Sequence, residues 1–485
     1  MMKRKVIAGA LWFAGQNVAR QVISFALFVA LGRMLSPANF GTVSLSASVI
    51  AIIQAFSSQG ITQAVIQRSD LTEDEAEIAY TFNLLFCTTI AATLIGGCAL
   101  FWYVAPPPLG DLPLVLAALA TLLPLSAFYE MHQARLARSF DFHIIAGKAL
   151  AGQVIGGLIA VMAAYAGANV WSLVAQQFVA LTIEMAVIRS VSSWQPKLRL
   201  ESKFIVHLWH FGAHLFGARL LSTIDARGPD LIIGMFSGQT PVGFFRVAKQ
   251  MLDVVVSVFA YPVSSVSLPL FAAERGHVDR VRLHYLRLTE ALCWLLTPPC
   301  LTLVLWAPQI LTFVFGQNWR SSGSFLQILA FQGVVLGMFY LYDPLLVALG
   351  KTKEVFALRC WQTGLSFCCM LSGGFFGAES IVAGQVVALF LTTPIFFRYI
   401  SSAAVITLND FLAHVWKPNV CALAFVSVAK ILDSFVGASF GISGLVAALA
   451  VGYFGYGVLF YLFASKQLRS EFLALAGRVM RPSAS

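Results

Sequence analysis

Long apolar runs recur from one end of this chain to the other, with short polar segments between them. Their lengths cluster near the roughly 20 residues that a helix needs to cross a bilayer. The runs are continuous, whereas the strands of a membrane β-barrel alternate over about ten residues. The pattern predicts an all-α membrane protein with about fourteen spans. The predicted spans cover residues 7–32, 40–66, 80–104, 112–136, 143–166, 169–190, 208–236, 241–271, 284–315, 324–349, 353–376, 380–400, 414–433 and 442–465.

Composition supports a polytopic membrane protein. Of the 485 residues, 59% are hydrophobic and only 11% are charged, which is too few polar residues to cover a soluble protein of this size. A soluble domain is usually about 25% charged. All eight cysteines fall within apolar runs and no pair has metal-ligand spacing, so we expect no disulfide framework, no metal and no cofactor.

Basic residues recur in every second loop. Lys3, Arg4 and Lys5 precede the first span, whereas the opposite loops hold little beyond Arg33 and Arg320. The positive-inside rule then predicts that both termini are cytoplasmic. The net charge of +10 follows from this topology, and we expect no nucleic-acid partner. The first run continues without a convincing cleavage site, so we expect it to be retained as a span.

The segments 31–41 and 233–243 align without gaps at an offset of 202 residues, with a glycine pair, Gly41 and Gly243, at matching ends. The first segment links the first predicted span to the second, and the other segment links the seventh span to the eighth. Because six spans separate the copies, both have the same orientation in the membrane. The repeat predicts two parallel six-helix lobes related by an axis along the membrane normal. The expected domains are residues 1–195, residues 204–405, and residues 412–485 with two additional helices and a tail.

Several motifs resemble those of Wzx-type polysaccharide transporters, the oligosaccharide flippases of the MOP superfamily. The motifs are G-A-L-W-F (9–13), L-G-R-M-L-S-P-A-N-F-G (31–41), Q-G-I-T-Q-A-V-I-Q-R (59–68), D-L-I-I-G-M-F (230–236), V-G-F-F-R-V-A-K-Q (242–250) and V-A-L-G-K-T-K (347–353). The chain departs from the family at Met235, where an Arg often follows the glycine of the seventh span.

The resemblance implies a MATE-like fold that alternates between inward- and outward-open states. It implies that an undecaprenyl-pyrophosphate-linked oligosaccharide is moved across the bacterial inner membrane for exopolysaccharide, O-antigen or capsule assembly. The implied partners are this lipid-linked substrate, membrane lipid, a polymerase and other export-machinery proteins.

Polar stripes run along three predicted spans that are otherwise apolar. At 100° per residue, each set lies on one face of its helix. The sets are Gln16, Asn17, Arg20, Gln21 and Ser24; Arg219, Thr223, Arg227 and Asp230; and Arg246, Lys249, Gln250, Asp253 and Ser257. Charged residues inside spans face a bundle interior or a wet cavity rather than lipid.

We interpret the stripes as the lining of a hydrated, basic cavity between the lobes. Arginine suits a pyrophosphate because its planar fork donates paired hydrogen bonds to phosphate oxygens. The candidate anion-binding residues are Arg20, Arg219, Arg227, Arg246 and Lys249. Further candidates for polar or coupling roles are Gln16, Asn17, Asp230, Gln250, Asp253 and Arg359. The alternative is internal pairing, of Arg227 with Asp230 and of Lys249 with Asp253.

Other charged positions have simpler interpretations. Glu184 and Asp343 are candidates for cation coupling, but Asp343-Pro344 also predicts a helix break. Lys430 and Asp433 lie near a span end, where a lysine extends towards the interface. Arg227 lies near mid-bilayer beside Gly228-Pro229, which permits a kink. Asp225 points to another face and has no assigned role.

No catalytic constellation is apparent, so we expect a carrier rather than an enzyme. Gly350-Lys351-Thr352 resembles the end of a P-loop, but Leu345 occupies the position of its required first glycine. The alternatives are a membrane polysaccharide polymerase or glycosyltransferase, and a MATE-like small-molecule exporter. The first needs an extended external catalytic loop, whereas the loops here are short. The second, for cationic drugs, favours an acidic lumen.

Overall fold

The structure is a computed structural model that describes residues 21–67, 72–104, 110–138, 142–192, 194–465 and 468–470. Within these ranges, several stretches are described as helix without their side chains, namely 56–67, 137–138, 142–146, 202–216, 218–219 and 436–442. The described residues form α-helices and one short 3₁₀ helix, and they contain no β-strand.

The helices follow the predicted spans in order. They are α1 (Gln21–Met34), α2 (Pro37–Gln67), α3 (Glu73–Val104), α4 (Leu112–Ala120), α5 (Leu122–Arg138), α6 (Phe142–Tyr165), α7 (Val170–Val191), α8 (Ser202–Ser237), α9 (Gln239–Ala273), α10 (Val278–Phe315), the 3₁₀ helix Gln317–Trp319, α11 (Ser322–Phe339), α12 (Tyr342–Ala348), α13 (Thr352–Gly374), α14 (Ala378–Ala404) and α15 (Leu408–Phe463).

Eleven segments of the described residues are long and apolar enough to cross a membrane. Helices α8 and α13 are long enough but carry charged residues along their length, and α1 is described only from Gln21. Every predicted span from the second onward lies on a helix or on a broken pair of helices. The predicted all-α, multi-pass fold is therefore confirmed.

Two predicted spans are broken helices. The fourth span comprises α4 and α5, which meet at Thr121, and the tenth comprises α11 and α12, with a turn at Tyr340 and Leu341. The break expected at Asp343-Pro344 therefore occurs just before it, so that the proline lies in the first turn of α12, where its missing N–H costs nothing. In contrast, α8 continues through Pro229.

The last two predicted spans form a helical hairpin. Helix α15 comprises two apolar segments, Leu408–Phe435 and Ser443–Phe463. The ring centroids of Phe425 and Tyr453 lie 4.7 Å apart. In a straight helix, 28 residues would separate them by roughly 42 Å. The chain therefore reverses direction between the two segments.

The contacts divide the described chain into two compact units. The first contains residues 1–247, 311–321 and 367–381, and the second contains residues 248–310, 322–366 and 382–485. In the first unit, α2 packs extensively on α8, and α6 packs on α7. In the second unit, Trp294, Trp306 and Phe425 belong to a buried apolar cluster formed by α10 and α15. The domain boundaries expected from the repeat remain a prediction.

Candidate functional site

Two glycines related by the sequence repeat lie where α2 meets the junction of α8 and α9. A Cβ atom at Gly41 would overlap the backbone carbonyl of Gln239, and one at Gly243 would overlap the carbonyl of Pro37. Pro37 and Gln239 are themselves separated by the repeat offset of 202 residues. The contact is reciprocal, as a two-fold relation between the repeat copies requires. We call these residues, Pro37, Gly41, Gln239 and Gly243, the glycine junction.

Hydrogen bonds surround the glycine junction. Thr42 Oγ1 donates to Gln239 Oε1 at 2.7 Å, and Trp319 Nε1 donates to the carbonyl of Gly32 at 2.7 Å. Arg33 donates to the carbonyls of Phe313 and Val314, in the last turn of α10. The last carbonyls of a helix have no partner within it and attract a cation. Arg33, an isolated basic residue in the sequence, therefore caps a helix.

Asp230 is a fully buried carboxylate on α8. Ser48 Oγ on α2 donates to its Oδ2 at 2.6 Å, and Arg246 Nη1 on α9 lies 3.7 Å from the same atom. Among the described residues, Asp230 Oδ1 has no hydrogen-bond partner. Asp230 thus has an ion-pair partner on another helix, and its alternative pairing with Arg227 within α8 stays a prediction. Helical spacing could not reveal Arg246 as its partner.

Helix α9 also carries Lys249, another of the predicted anion-binding residues. Lys249 Nζ lies 2.5 Å from Asp253 Oδ1, so the i,i+4 pair that was the alternative to an anion-binding role for Lys249 is present. Gln250, the next residue, is half-buried. Arg246 lies one turn before Lys249, and its side chain is 29% exposed. Arg246 therefore keeps guanidinium donors accessible, because its separation from Asp230 is longer than a hydrogen bond.

The second unit contains a cavity of about 290 Å³ at the break between α11 and α12, lined by both polar and apolar side chains. Arg359 of α13 forms an ion pair with Asp343 of α12 at its wall. Ser264, Tyr340 and Gln362 also line it. Arg359 and Asp343, a predicted polar candidate and a predicted coupling candidate, are thus brought together. Nothing in the sequence spacing indicated this pairing, because sixteen residues and a loop separate them.

A second buried polar cluster lies in the first unit and was missed by sequence reasoning. Lys148 is 2% exposed; its Nζ donates to Tyr129 Oη at 2.6 Å and to Gln133 Oε1 at 2.9 Å. Glu184 Oε2 accepts from Tyr129 and lies 4.0 Å from Nζ. In the sequence, Lys148 belongs with Arg135 and Arg138 to the basic residues that flank one loop, although it lies five residues inside the predicted span 143–166. The position of Lys148 inside a predicted span was the sequence signal that could have indicated a buried polar cluster.

Some candidates fall outside the description. Arg20, Gln16 and Asn17 lie outside the described residues. Arg219 lies on α8, but its side chain is not described. Arg227 is half-buried on α8, near the fully buried Asp230. The proposed lining by the first span therefore remains a prediction.

Residues 30–325 match a family described as polysaccharide biosynthesis protein. The chain is 23% identical to succinoglycan biosynthesis transport protein ExoT of Rhizobium meliloti (strain 1021), over 96% of this chain and 94% of that protein. It is also 23% identical to teichuronic acid biosynthesis protein TuaB of Bacillus subtilis (strain 168), over 93% and 90%. Lipopolysaccharide biosynthesis protein WzxC of Escherichia coli (strain K12) is 20% identical, over 89% and 88%.

Solved structures show the same fold. The lipid II flippase MurJ, in an inward closed conformation, superposes with a TM-score of 0.71 at 13% identity, over 94% of this chain and 98% of that chain. An inward-facing multidrug resistance MATE family transporter of the MOP superfamily gives a TM-score of 0.61 at 14% identity, over 81% and 99%. The chain thus has the fold of these two transporters, as its motifs implied, and it belongs to the polysaccharide biosynthesis protein family.

Proposed function

We propose that this protein is a flippase that moves an undecaprenyl-pyrophosphate-linked oligosaccharide repeat unit across the bacterial inner membrane. The product would serve the assembly of exopolysaccharide, O-antigen or capsule. The family match and the near full-length similarity to proteins of succinoglycan, teichuronic acid and lipopolysaccharide biosynthesis support this class of cargo. The fold shared with a lipid II flippase agrees with a lipid-linked cargo.

The observation that carries the proposal is the half-buried Arg246 on α9. Its guanidinium lies within a membrane span and is 29% exposed, while its carboxylate partner Asp230 is fully buried. A charge at this depth costs several kcal/mol unless it faces a polar cavity or a partner. An arginine that faces both a buried acid and open space can be held in place by the acid and still bind an anion. The pyrophosphate of the carrier lipid is such an anion.

Transport would proceed by alternating access through the basic cavity predicted between the lobes. Arg227 would add positive charge on α8, whereas the charge of Lys249 on α9 is balanced by Asp253, and Arg20 and Arg219 are the further candidates. The glycine junction holds the repeat copies together at one end of α2. It would have to separate when the cavity opens on that side. With both termini cytoplasmic, as the charge pattern predicts, that side is the periplasm.

The test compares Arg246→Gln with the double variant Arg246→Gln/Asp230→Asn in a strain that lacks the chromosomal gene. Removing Arg246 alone leaves Asp230 as a buried unpaired charge, which costs about 3–5 kcal/mol. The double variant removes that penalty. We expect the double variant to recover thermal stability in detergent but to export at least about tenfold less polysaccharide than the wild type, because the anion has lost a charge-assisted contact.

Arg320→Gln, at an exposed position outside the spans, is the matched control and should export normally. Full export by the double variant would show that Arg246 only neutralises Asp230. Gene deletion should leave the lipid-linked repeat unit, unpolymerised, in the cytoplasmic leaflet. Its appearance in the periplasmic leaflet of the deletion strain would instead indicate a polymerase.

A further inference from the structure

The cavity at the break between α11 and α12 has the chemistry of a ligand site. At about 290 Å³ it lies at the lower end of the range for small-molecule pockets. Irregular backbone at membrane depth is tolerated where it is buried in protein or lines a cavity. Here the turn residue Tyr340 and the first residues of α12, Tyr342 and Asp343, all line the cavity. The helix is thus broken where the cavity lies.

Two acceptor atoms at the cavity are buried and unsatisfied. Asp343 Oδ1 and Gln362 Oε1 have no hydrogen-bond partner among the described residues. Leaving a buried acceptor unpaired is unfavourable, and few such groups persist in a folded protein without a reason. Both residues line the same cavity, although the two oxygens themselves are buried. A rotation of each side chain would turn these acceptors towards a ligand that donates hydrogen bonds to both.

The charges at the cavity favour a neutral ligand. Among the described lining residues, Asp343 is the one acid and Arg359 is the one base, and the two form an ion pair. A metal cation would be repelled by the guanidinium, and a phosphate would be repelled by the carboxylate. Hydroxyl groups can donate to the unpaired acceptors without disturbing the ion pair.

Aromatic side chains form another part of the wall, beside aliphatic residues. Phe339, Tyr340 and Tyr342 line the cavity, and the Arg359 guanidinium lies 5.6 Å from the centroid of the Tyr342 ring. The faces of aromatic rings are electron-rich and attract weakly positive C–H groups. A sugar ring has apolar C–H faces and a rim of hydroxyl donors. Its two kinds of surface match the aromatic wall and the unpaired acceptors.

We propose that this cavity binds one neutral sugar residue of the lipid-linked substrate, with Gln362 and Asp343 accepting hydrogen bonds from its hydroxyl groups. This inference rests on the proposed function and adds to it a subsite that recognises the saccharide. The pyrophosphate would be bound elsewhere, by the basic residues of α8 and α9. Recognition of the sugar and recognition of the carrier lipid would therefore be separable.

The experiment measures the binding of two probes to the purified full-length protein in lipid nanodiscs. One is the complete lipid-linked oligosaccharide of the host, and the other is undecaprenyl pyrophosphate without sugar. The variant is Gln362→Leu, which removes the acceptor and keeps the ion pair. We expect it to bind the complete substrate about three- to tenfold more weakly and the sugar-free lipid as the wild type does.

The matched control is Gln385→Leu, because Gln385 is also a half-buried glutamine of the second unit with an unpaired oxygen, but it does not line the cavity. It should bind both probes normally. Ser264→Ala, a smaller change in the cavity wall, provides a second variant if Gln362→Leu folds poorly. It should also weaken only the binding of the complete substrate.

Three outcomes overturn the inference. Equal weakening for both probes would assign Gln362 a general structural role, and unchanged binding of both by the two cavity variants would place the sugar elsewhere. A sodium-dependent binding step lost in Gln362→Leu would assign the cavity to a cation. If the wild type binds neither probe, the proposed function itself fails, and that result is distinct from the other three.

Discussion

The glycine junction and the cavity at the α11–α12 break are two regions of one helical protein that differ in packing: the first is packed closely and the second leaves open space. At the junction, Gly41 and Gly243 have no side chain, and the backbones of α2 and α9 come into direct contact. At the cavity, a helix is interrupted, space remains, and polar atoms are left unpaired. Small residues in membrane helices permit close packing, whereas unpaired buried acceptors favour a ligand. The first region is suited to hold one arrangement of helices, and the second to accept a molecule.

The largest effect is expected from a single methyl group at the junction. Gly41→Ala and Gly243→Ala each place a Cβ against a backbone carbonyl that no rotamer change can move. Overpacking typically costs about 1–3 kcal/mol, and an overlap with backbone lies at the upper end. We expect a lower thermal unfolding temperature in detergent and export near the background of the deletion strain.

Gly96→Ala is the matched control, since Gly96 lies on α3 and a Cβ there meets no atom within 4 Å. It should unfold and export as the wild type does. Wild-type stability and export for Gly41→Ala would mean that the close contact at the junction is not required.

An intermediate effect is expected from breaking the ion pair at the cavity. The side chains of Arg359 and Asp343 are 31% and 30% exposed, so Arg359→Gln should cost more than the ~1 kcal/mol of an exposed pair. It should cost less than the ~3–5 kcal/mol of a fully buried pair. The double variant Arg359→Gln/Asp343→Asn should recover most of the lost thermal stability, because no unpaired charge remains.

Thermal unfolding of the two single variants and the double variant gives the coupling free energy of this pair. Additive losses of stability would show that the two side chains do not interact energetically. The junction variants should leave this coupling unchanged, because they alter packing in the other compact unit.

The smallest effect is expected from Thr42→Val, which keeps the shape of the side chain and removes its hydrogen bond to Gln239. A net loss of about 0.5–1.5 kcal/mol is typical for such a bond. The measurement is again thermal unfolding in detergent. Thr88→Val serves as a control, since the Thr88 hydroxyl bonds only within its own helix, to the carbonyl of Leu84. A loss for Thr42→Val as large as that for Gly41→Ala would indicate that hydrogen bonding, rather than close packing, holds the junction.

The sequence was most informative where the membrane limits the possible structures. Apolar runs of sufficient length can only be helices in a bilayer, because each backbone group must be satisfied within its own segment. The spans were predicted for this reason, including the last two, which form the hairpin of α15. The repeat in the sequence also paired Gly41 with Gly243, which the structure places in reciprocal contact.

Spacing along one helix succeeded only for local pairs. Lys249 and Asp253 are four residues apart and form the expected ion pair. Arg246 and Asp230 lie on different helices, so no periodicity could link them. The partners of Lys148, namely Tyr129, Gln133 and Glu184, likewise come from other helices, so the sequence indicated only a basic residue that flanks a loop.

By itself, then, the sequence determined the helices, their order, and the pairing of Gly41 with Gly243 in the repeat segments. These depend on hydrophobicity and on short-range geometry, and both follow directly from the local order of residues. Only the tertiary structure showed which charged residues form ion pairs between helices and that Asp343 and Arg359 line a cavity. It also showed that the glycine junction requires glycine because two backbones come into contact there. Those features depend on distances between segments far apart in sequence, and the packing of complete helices sets these distances.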